Sequence, residues 1–278
     1  MAERQTRTTG RPRTSGRSVG QSQSLTRGLN ILEALAGAGH GLSLSDVSQM
    51  AGLAPSTTHR LLRTLEQLQF VQQDEELGLW HIGVKAFIVG NGFVSARDFV
   101  AESRPYLHRL MEETGETANL GVQDDGYAVF LAQVESQEMM RMIVKLGSRA
   151  PLHASGVGKA LLASMDEAEI ERILQRRGLP KVTPNTLDTP AKLRADLAEI
   201  RERGYACDYE EHAIGLRCVA STIHDETGKA LAAISVSGPK ARITDSLMHE
   251  LGAAVSRTAR EITARLGGEL PRMEAVGR

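Results

Sequence analysis

Ser56, Thr57, Thr58, Arg60 and Arg63 share one short run, Pro55–Leu68, and are residue types that touch nucleic acid. Hydroxyls at the start of a helix can meet phosphate oxygens, and an arginine can pair bidentately with guanine. In the same run Leu61, Leu62, Leu65 and Leu68 recur at helical spacing and are expected to face a core. Ser56, Thr57, Thr58, Arg60, Arg63 and Thr64 are then left outside. Just upstream, Ser45, Asp46, Val47, Met50 and Ala51 predict a short helix capped by Ser43 or Ser45. Gly52 closes it, and Pro55 or Ser56 opens the next. Two helices joined at a glycine make a helix-turn-helix, whose second helix enters the major groove of DNA. Amphipathic helix pairs also occur in proteins that never meet DNA, so the neighbouring features matter.

Groups able to catalyse are scarce. Ser155-Gly156-Val157-Gly158-Lys159 approaches a phosphate-binding loop, but His153 stands where the first glycine belongs and Ala160 where magnesium needs a hydroxyl. The same His153 spoils a nucleophile elbow at Ser155. Glu210-Glu211-His212 carries metal-capable groups, yet neighbours on a strand end diverge, and a solvated turn is expected. Cys218 sits in an apolar strand pattern and reads as core. With Cys207 it is one of only two cysteines, with no CxxC and no histidine pair at zinc spacing. No enzyme, cofactor, structural metal or disulfide scaffold is expected.

The elements around the candidate recognition helix support DNA binding. Residues 24–39 predict a helix with Leu25, Leu29, Leu32 and Ala36 on one stripe, Ile31 and Leu35 beside it, and Gly37 and Gly39 at its end. Phe70–Gln73 and Leu79–Ile82 flank an acidic turn, Asp74–Gly78, in the place of a wing, with Trp80 directed to the core. The first residues, 1–22, read as a disordered basic arm in which Arg4, Arg7, Arg11, Arg13 and Arg17 face Glu3 alone. Gly10-Arg11-Pro12-Arg13 resembles the core of a minor-groove AT-hook; a solubilising tail is the other reading. Through Arg63 eight arginines oppose Glu3, Glu33 and Asp46, a local charge of +5, which leaves −6 for the rest of a chain whose net charge is −1. A basic front and an acidic back suit a nucleic-acid module joined to one with another task. No segment is apolar and long enough to cross a membrane, and a cytoplasmic location is expected.

Five segments follow: the arm (1–22), a winged helix-turn-helix domain (23–84), linker or dimerisation helices (85–114), an effector-type domain (115–270) and a tail (271–278). In the linker Pro105 is a candidate break. Thr117–Gln123 and Tyr127–Val134 predict a hairpin about Asp124-Asp125-Gly126, and Met140–Leu146 a third strand. Helices over 157–164, 167–177 and 191–203 precede strands over 205–209, 218–224 and 229–237 and a closing helix over 244–266. The fold class is α+β, an antiparallel sheet with packed helices.

The longest runs in the second half are residues 151–162 (PLHASGVGKALL), 204–211 (GYACDYEE), 215–220 (GLRCVA) and 232–239 (AAISVSGP). In this order they resemble the IclR-type transcriptional regulators, along nearly the whole chain after the tail. Residues 77–83 and 146–149 look most like the glyoxylate-responsive repressors of allantoin utilisation and related regulators of glyoxylate-assimilation operons. The resemblance implies a winged helix, a linker helix and a GAF-like effector domain, assembled as a homodimer or homotetramer on a pseudo-palindromic double-stranded DNA operator. It places effector contacts on Gly156, Val157, Asp208, Cys218, Ser235 and Ser237. Val157 departs from the family, where a smaller residue is usual. A small carboxylate such as glyoxylate is the effector implied, with pyruvate, allantoate or an aromatic acid as alternatives. A metabolite-processing enzyme and an architectural DNA binder are the competing classes.

Overall fold

The computed structural model describes residues 22–95 and 98–270, and Arg11 and Arg13 lie outside them. The chain divides into two compact units, Met1–Phe93 and Val94–Arg278.

In the first unit α1 (Gln23–Ala38) is followed by α2 (Leu44–Ala51) and α3 (Pro55–Gln67). Ser43 opens α2 with a capping box: its hydroxyl accepts from the Asp46 N–H, and the Asp46 carboxylate accepts from the Ser43 N–H. Gly52 ends α2 at φ 65°, a left-handed conformation that a side chain would strain. Pro55 occupies the first turn of α3, where its missing N–H costs nothing. The strands β1 (Val71–Gln73) and β2 (Trp80–Ile82) pair antiparallel as the expected wing. Ile31, Leu35, Leu42, Val47, Leu62, Val71 and Trp80 form the core.

Two stripe assignments change. In α1 the buried line is Gly28, Ile31 and Leu35, whereas Leu25 and Leu29 are 63% and 50% exposed. Apolar residues run along two adjacent faces of this helix, and only its partners decide which face is covered. Leu68 caps α3 and is exposed, because the helix ends before that position returns to the core. α4 (Val84–Ser95) carries Val84, Phe87, Ile88 and Val89 exposed.

The second unit begins with α5 (Asp98–Thr114), which runs through Pro105 unbroken. Its buried Val100, Leu107, Leu110 and Met111 share a core with the sheet and with the last helix, and this packing outweighs the bond the proline removes. The strands are β3 (Thr117–Asp124), β4 (Tyr127–Val134), β5 (Arg149–Pro151), β6 (Ala206–Tyr209), β7 (Leu216–His224) and β8 (Ala230–Pro239). They form one antiparallel sheet in the order β5-β4-β3-β8-β7-β6. In sequence, α6 (Gly156–Ala163), α7 (Glu167–Arg177) and α8 (Pro190–Arg203) lie between the two edge strands, β5 and β6, and α9 (Asp245–Arg265) follows β8. α5 and α9 cover one face of the sheet, α6 and α8 the other. No helix among the described residues is long and apolar enough to cross a membrane.

The strand expected over Met140–Leu146 does not form; the edge strand is β5. Side chains have taken the backbone groups a ladder would use. Thr117 Oγ1 donates to the Met142 carbonyl at 3.0 Å, and the Val144 N–H donates to Gln133 Oε1 at 3.3 Å. The segment therefore lies as a strap rather than as a strand.

Candidate functional site

On α3, Ser56, His59, Arg60 and Arg63 recur at helical spacing and are exposed, while Thr57 is half-buried. His59 was not singled out from sequence, although its place one turn after Ser56 puts it on this face. Thr58 does not belong there: it is fully buried (0% exposed), on the side of Leu62 and Leu65, and its hydroxyl donates to the Ala54 carbonyl at 3.2 Å. A threonine can turn its methyl to a core and satisfy its hydroxyl on its own helix, which polarity patterning cannot reveal. Arg63 is braced, with Nη1 2.7 Å from Glu66 Oε2 and its guanidinium over the Trp80 ring at 5.3 Å. The Arg60 guanidinium has no partner among the described residues and is free to meet a base edge. Arg60→Ala is expected to weaken specific operator binding by about 1–3 kcal/mol, and Arg63→Ala by less. Equal losses in a gel-shift titration at fixed salt would contradict that ranking.

In the second unit Gly156, Val157, Asp208, Cys218, Ser235 and Ser237 line one cavity of about 160 Å³. Strand register explains the convergence. Asp208 lies opposite Cys218, Cys218 opposite Ser237, and Ser235 opposite Asn119, so all five point to the same side of the sheet. Along the central strands this face is built of Asn119, Gly121, Ala220, Ala233, Ser235 and Ser237, small enough to leave room beneath α6. At Gly156 even a methyl would not fit, since a Cβ there would stand 2.7 Å from Cys218 Sγ.

α6 begins at the cavity wall. Ser155 caps it, accepting from the Gly158 N–H at 3.1 Å and donating to the Pro151 carbonyl at 2.9 Å. The preceding N–H groups, of Gly156 and Val157, have no acceptor among the described residues, and they stand at the positive end of the helix dipole. The strap supplies Met142, Ile143, Val144 and Lys145 to the opposite wall.

The electrostatics follow from burial. Asp208 is buried, its Oδ1 accepting from the Glu211 N–H at 2.7 Å. Burial pushes its carboxyl up to about 7, and the Glu211 charge adds to the shift, against the pull of the Glu211 N–H and Lys159. Burial, with the Asp208 charge, pushes the Cys218 thiol up to about 12, so it offers no thiolate at neutral pH. His212, also on the wall, has its pKa lowered by burial, and its Nδ1 has no hydrogen-bond partner among the described residues.

Glu210 and Glu211 are both buried, not the solvated turn expected from sequence. Glu210 accepts from the Gly215 N–H at 3.0 Å and pairs with Lys240 at 2.5 Å. Glu211 lies 2.7 Å from Lys159 Nζ, and Asp196 lies 2.8 Å from the same atom. Lys159 is 1% exposed. Burial opposes its charge, but Glu211 and Asp196 outweigh that and hold its pKa above the ordinary value. The lysine that looked like a defective phosphate-loop residue is thus the centre of an ion cluster behind the cavity. Asn119 on the wall and Gln133 behind it were also missed. Nothing local marks a strand amide as functional, because register alone brings it beside the serines.

A winged helix joined to an α+β unit whose cavity carries a few converging polar groups defines a class of protein that couples DNA binding to a small ligand. The chain belongs to the IclR family of transcriptional regulators. It matches the IclR helix-turn-helix domain over residues 24–75 and the bacterial transcriptional regulator IclR C-terminal domain over residues 92–264. It is 49% identical to the acetate operon repressor of Salmonella typhimurium over 252 residues, 90% of this chain and 92% of that protein. To the transcriptional repressor AllR of Escherichia coli K12 it is 45% identical over 246 residues, 88% of this chain and 91% of that protein. The crystal structure of Thermotoga maritima IclR is similar at 28% identity and a TM-score of 0.74, covering 89% of this chain and 100% of that one. The protein is accordingly a DNA-binding transcriptional regulator with a C-terminal effector domain.

Proposed function

We propose that this regulator represses transcription and that a small carboxylate in the cavity, glyoxylate first among the candidates, controls its operator affinity. The observation carrying this proposal is the donor set of the cavity. Gly156 and Val157, whose N–H groups at the start of α6 have no acceptor among the described residues, line a space of about 160 Å³ together with two serines. Such an arrangement suits a carboxylate held by the amides and the helix dipole and completed by Ser235 and Ser237. Asp208 would repel a bare anion when ionised, but as a carboxyl it can donate to one, or to the hydrate of an α-oxo acid. Repression is supported by the relatives, the acetate operon repressor and the transcriptional repressor AllR. Cys218, kept as a thiol, forms a wall of a binding site rather than a reacting group.

Pairing of copies accounts for the exposed apolar residues of α1 and α4, among them Leu25 and Phe87. A homodimer or homotetramer would then read a pseudo-palindromic operator. Segment boundaries at 22/23, 84/85, 114/115 and 270/271, the basic arm with Arg11 and Arg13 on DNA, and a cytoplasmic location belong to the same proposal.

The direct test is binding to the gene's own upstream DNA at fixed salt, with and without millimolar glyoxylate. Affinity that changes with glyoxylate supports the proposal. Tight binding indifferent to it redirects the effector to pyruvate, allantoate or an aromatic acid. Combined Ser235→Ala and Ser237→Ala substitutions should blunt the response to effector, and an undiminished response would remove the serines from the site.

A further inference from the structure

Behind the serines runs a line of hydrogen bonds with a single direction. The Val144 N–H donates to Gln133 Oε1 at 3.3 Å, Gln133 Nε2 to Asn119 Oδ1 at 2.8 Å, and Asn119 Nδ2 to Ser237 Oγ at 2.9 Å. Side-chain amides can be read either way round, but a backbone N–H can only donate. Val144 therefore fixes the oxygen of Gln133, which fixes that of Asn119, which turns the Asn119 donor onto Ser237. The Ser237 oxygen is thus occupied from behind. Its own proton has no acceptor among the described residues, and Ser237 lines the cavity. Ser235 is held less firmly, with Asn119 Nδ2 at 3.4 Å.

We propose that Asn119, oriented by Gln133, is a positioning residue that sets Ser237 as a hydrogen-bond donor, so that the cavity selects carboxylates over ligands of equal size that present N–H donors. The inference rests on the proposal that this cavity is the effector site. Packing alone gives no reason for the pair. Asn119 is 1% exposed on a face where its neighbours on β3 and β8 are Gly121, Ala233, Ser235 and Ser237, and an apolar residue there would avoid the cost of burying an amide. The pair also anchors the strap, because Val144, at the head of the line, belongs to the segment that walls the cavity.

Two substitutions reverse the direction with little change of shape. In Asn119→Asp the carboxylate can only accept, so Ser237 turns its proton backward and presents lone pairs to the ligand. In Gln133→Glu the new carboxylate still accepts from Val144 but cannot donate to Asn119. The Asn119 amide then flips and presents its oxygen to Ser237. Gln133 is half-buried at the margin of the site, so this second variant remains decisive if the first does not fold, as judged by thermal unfolding.

The experiment is calorimetric titration of the full chain and both variants with glyoxylate, pyruvate and pyruvamide. The wild type should prefer pyruvate to pyruvamide by at least about tenfold, the scale of one charge-assisted hydrogen bond. Each folded variant should lose about tenfold or more in carboxylate affinity and shift its preference toward pyruvamide, a change of selectivity that a merely structural role would not produce. Unchanged carboxylate affinity in the folded variants overturns the positioning role and leaves the effector site standing. A wild type preferring pyruvamide also overturns it. A wild type that binds neither acids nor amide overturns a small α-oxo acid as the effector and, with it, the inference.

Discussion

Lys159→Met should lower the stability of the second unit by about 3–5 kcal/mol at neutral pH, the scale for removing one partner from a buried ion cluster. The methionine fills the space of the lysine stem, so the loss is electrostatic rather than a cavity. Glu211 and Asp196 remain, the first almost without solvent and both within 3 Å of the missing charge. Glu211 would have to be buried ionised without a cation or be protonated at a cost, while Asp196 would keep only Arg203, at 3.7 Å. The variant therefore regains stability as pH falls and its carboxylates take up protons. Denaturant unfolding at pH 7.5 and pH 5 measures both effects, and a deficit that does not narrow at pH 5 would place the damage in packing. The cluster also holds Glu211, whose N–H fixes Asp208 in the cavity wall, so weaker effector binding should accompany the loss.

Asp208→Asn should have the opposite sign. The carboxyl titrates near 7 in the folded protein and near 3.8 when unexposed to its neighbours, so between those values the folded state holds a proton that the unfolded chain has released. Stability then falls as pH rises across that window and stays low above it. Asparagine keeps the acceptor for the Glu211 N–H and cannot ionise. The variant should equal the wild type near pH 4 and exceed it at pH 8, by an amount linkage bounds at about 4 kcal/mol. Glyoxylate affinity follows the same proton: the wild type should bind less well above pH 7, as the carboxylate faces an anion, while the variant stays level. Groups packed about Asp208 include Glu211, whose carboxyl pKa burial raises, His212, whose pKa burial lowers, Lys159 and Cys218. His212→Gln, leaving the slope in place, would exclude the imidazole as its source. Parallel stability curves for wild type and Asp208→Asn would refute the buried titration.

What could be read from the chain alone was whatever depends on local rules. Capping at Ser43, the left-handed turn at Gly52, Pro55 in the first turn of α3, the wing hairpin, Trp80 in the core and the Asp124-Asp125-Gly126 turn all follow from neighbours in sequence. The failures share a different origin. Thr58 is buried, Leu25 and Leu29 are exposed and Pro105 lies within a continuous helix because a distant partner, and not the local pattern, covers one face or leaves it open. The strap over Met142–Lys145 had strand composition but lost its ladder to side chains from β3 and β4.

Of the site itself, the six cavity residues named from sequence came through family resemblance, since a serine two positions from another serine is ordinary strand chemistry. The sequence by itself determined the two-part plan, the candidate recognition helix and the alternation that gives each strand a small-residue face. Tertiary structure alone decided the rest. Register across β6, β7, β8 and β3 set Asp208, Cys218, Ser237 and Asn119 on one wall, and burial of Lys159 among carboxylates set the charges behind it. Directional hydrogen bonding and desolvation depend on which distant groups meet, and a linear pattern carries no record of that meeting.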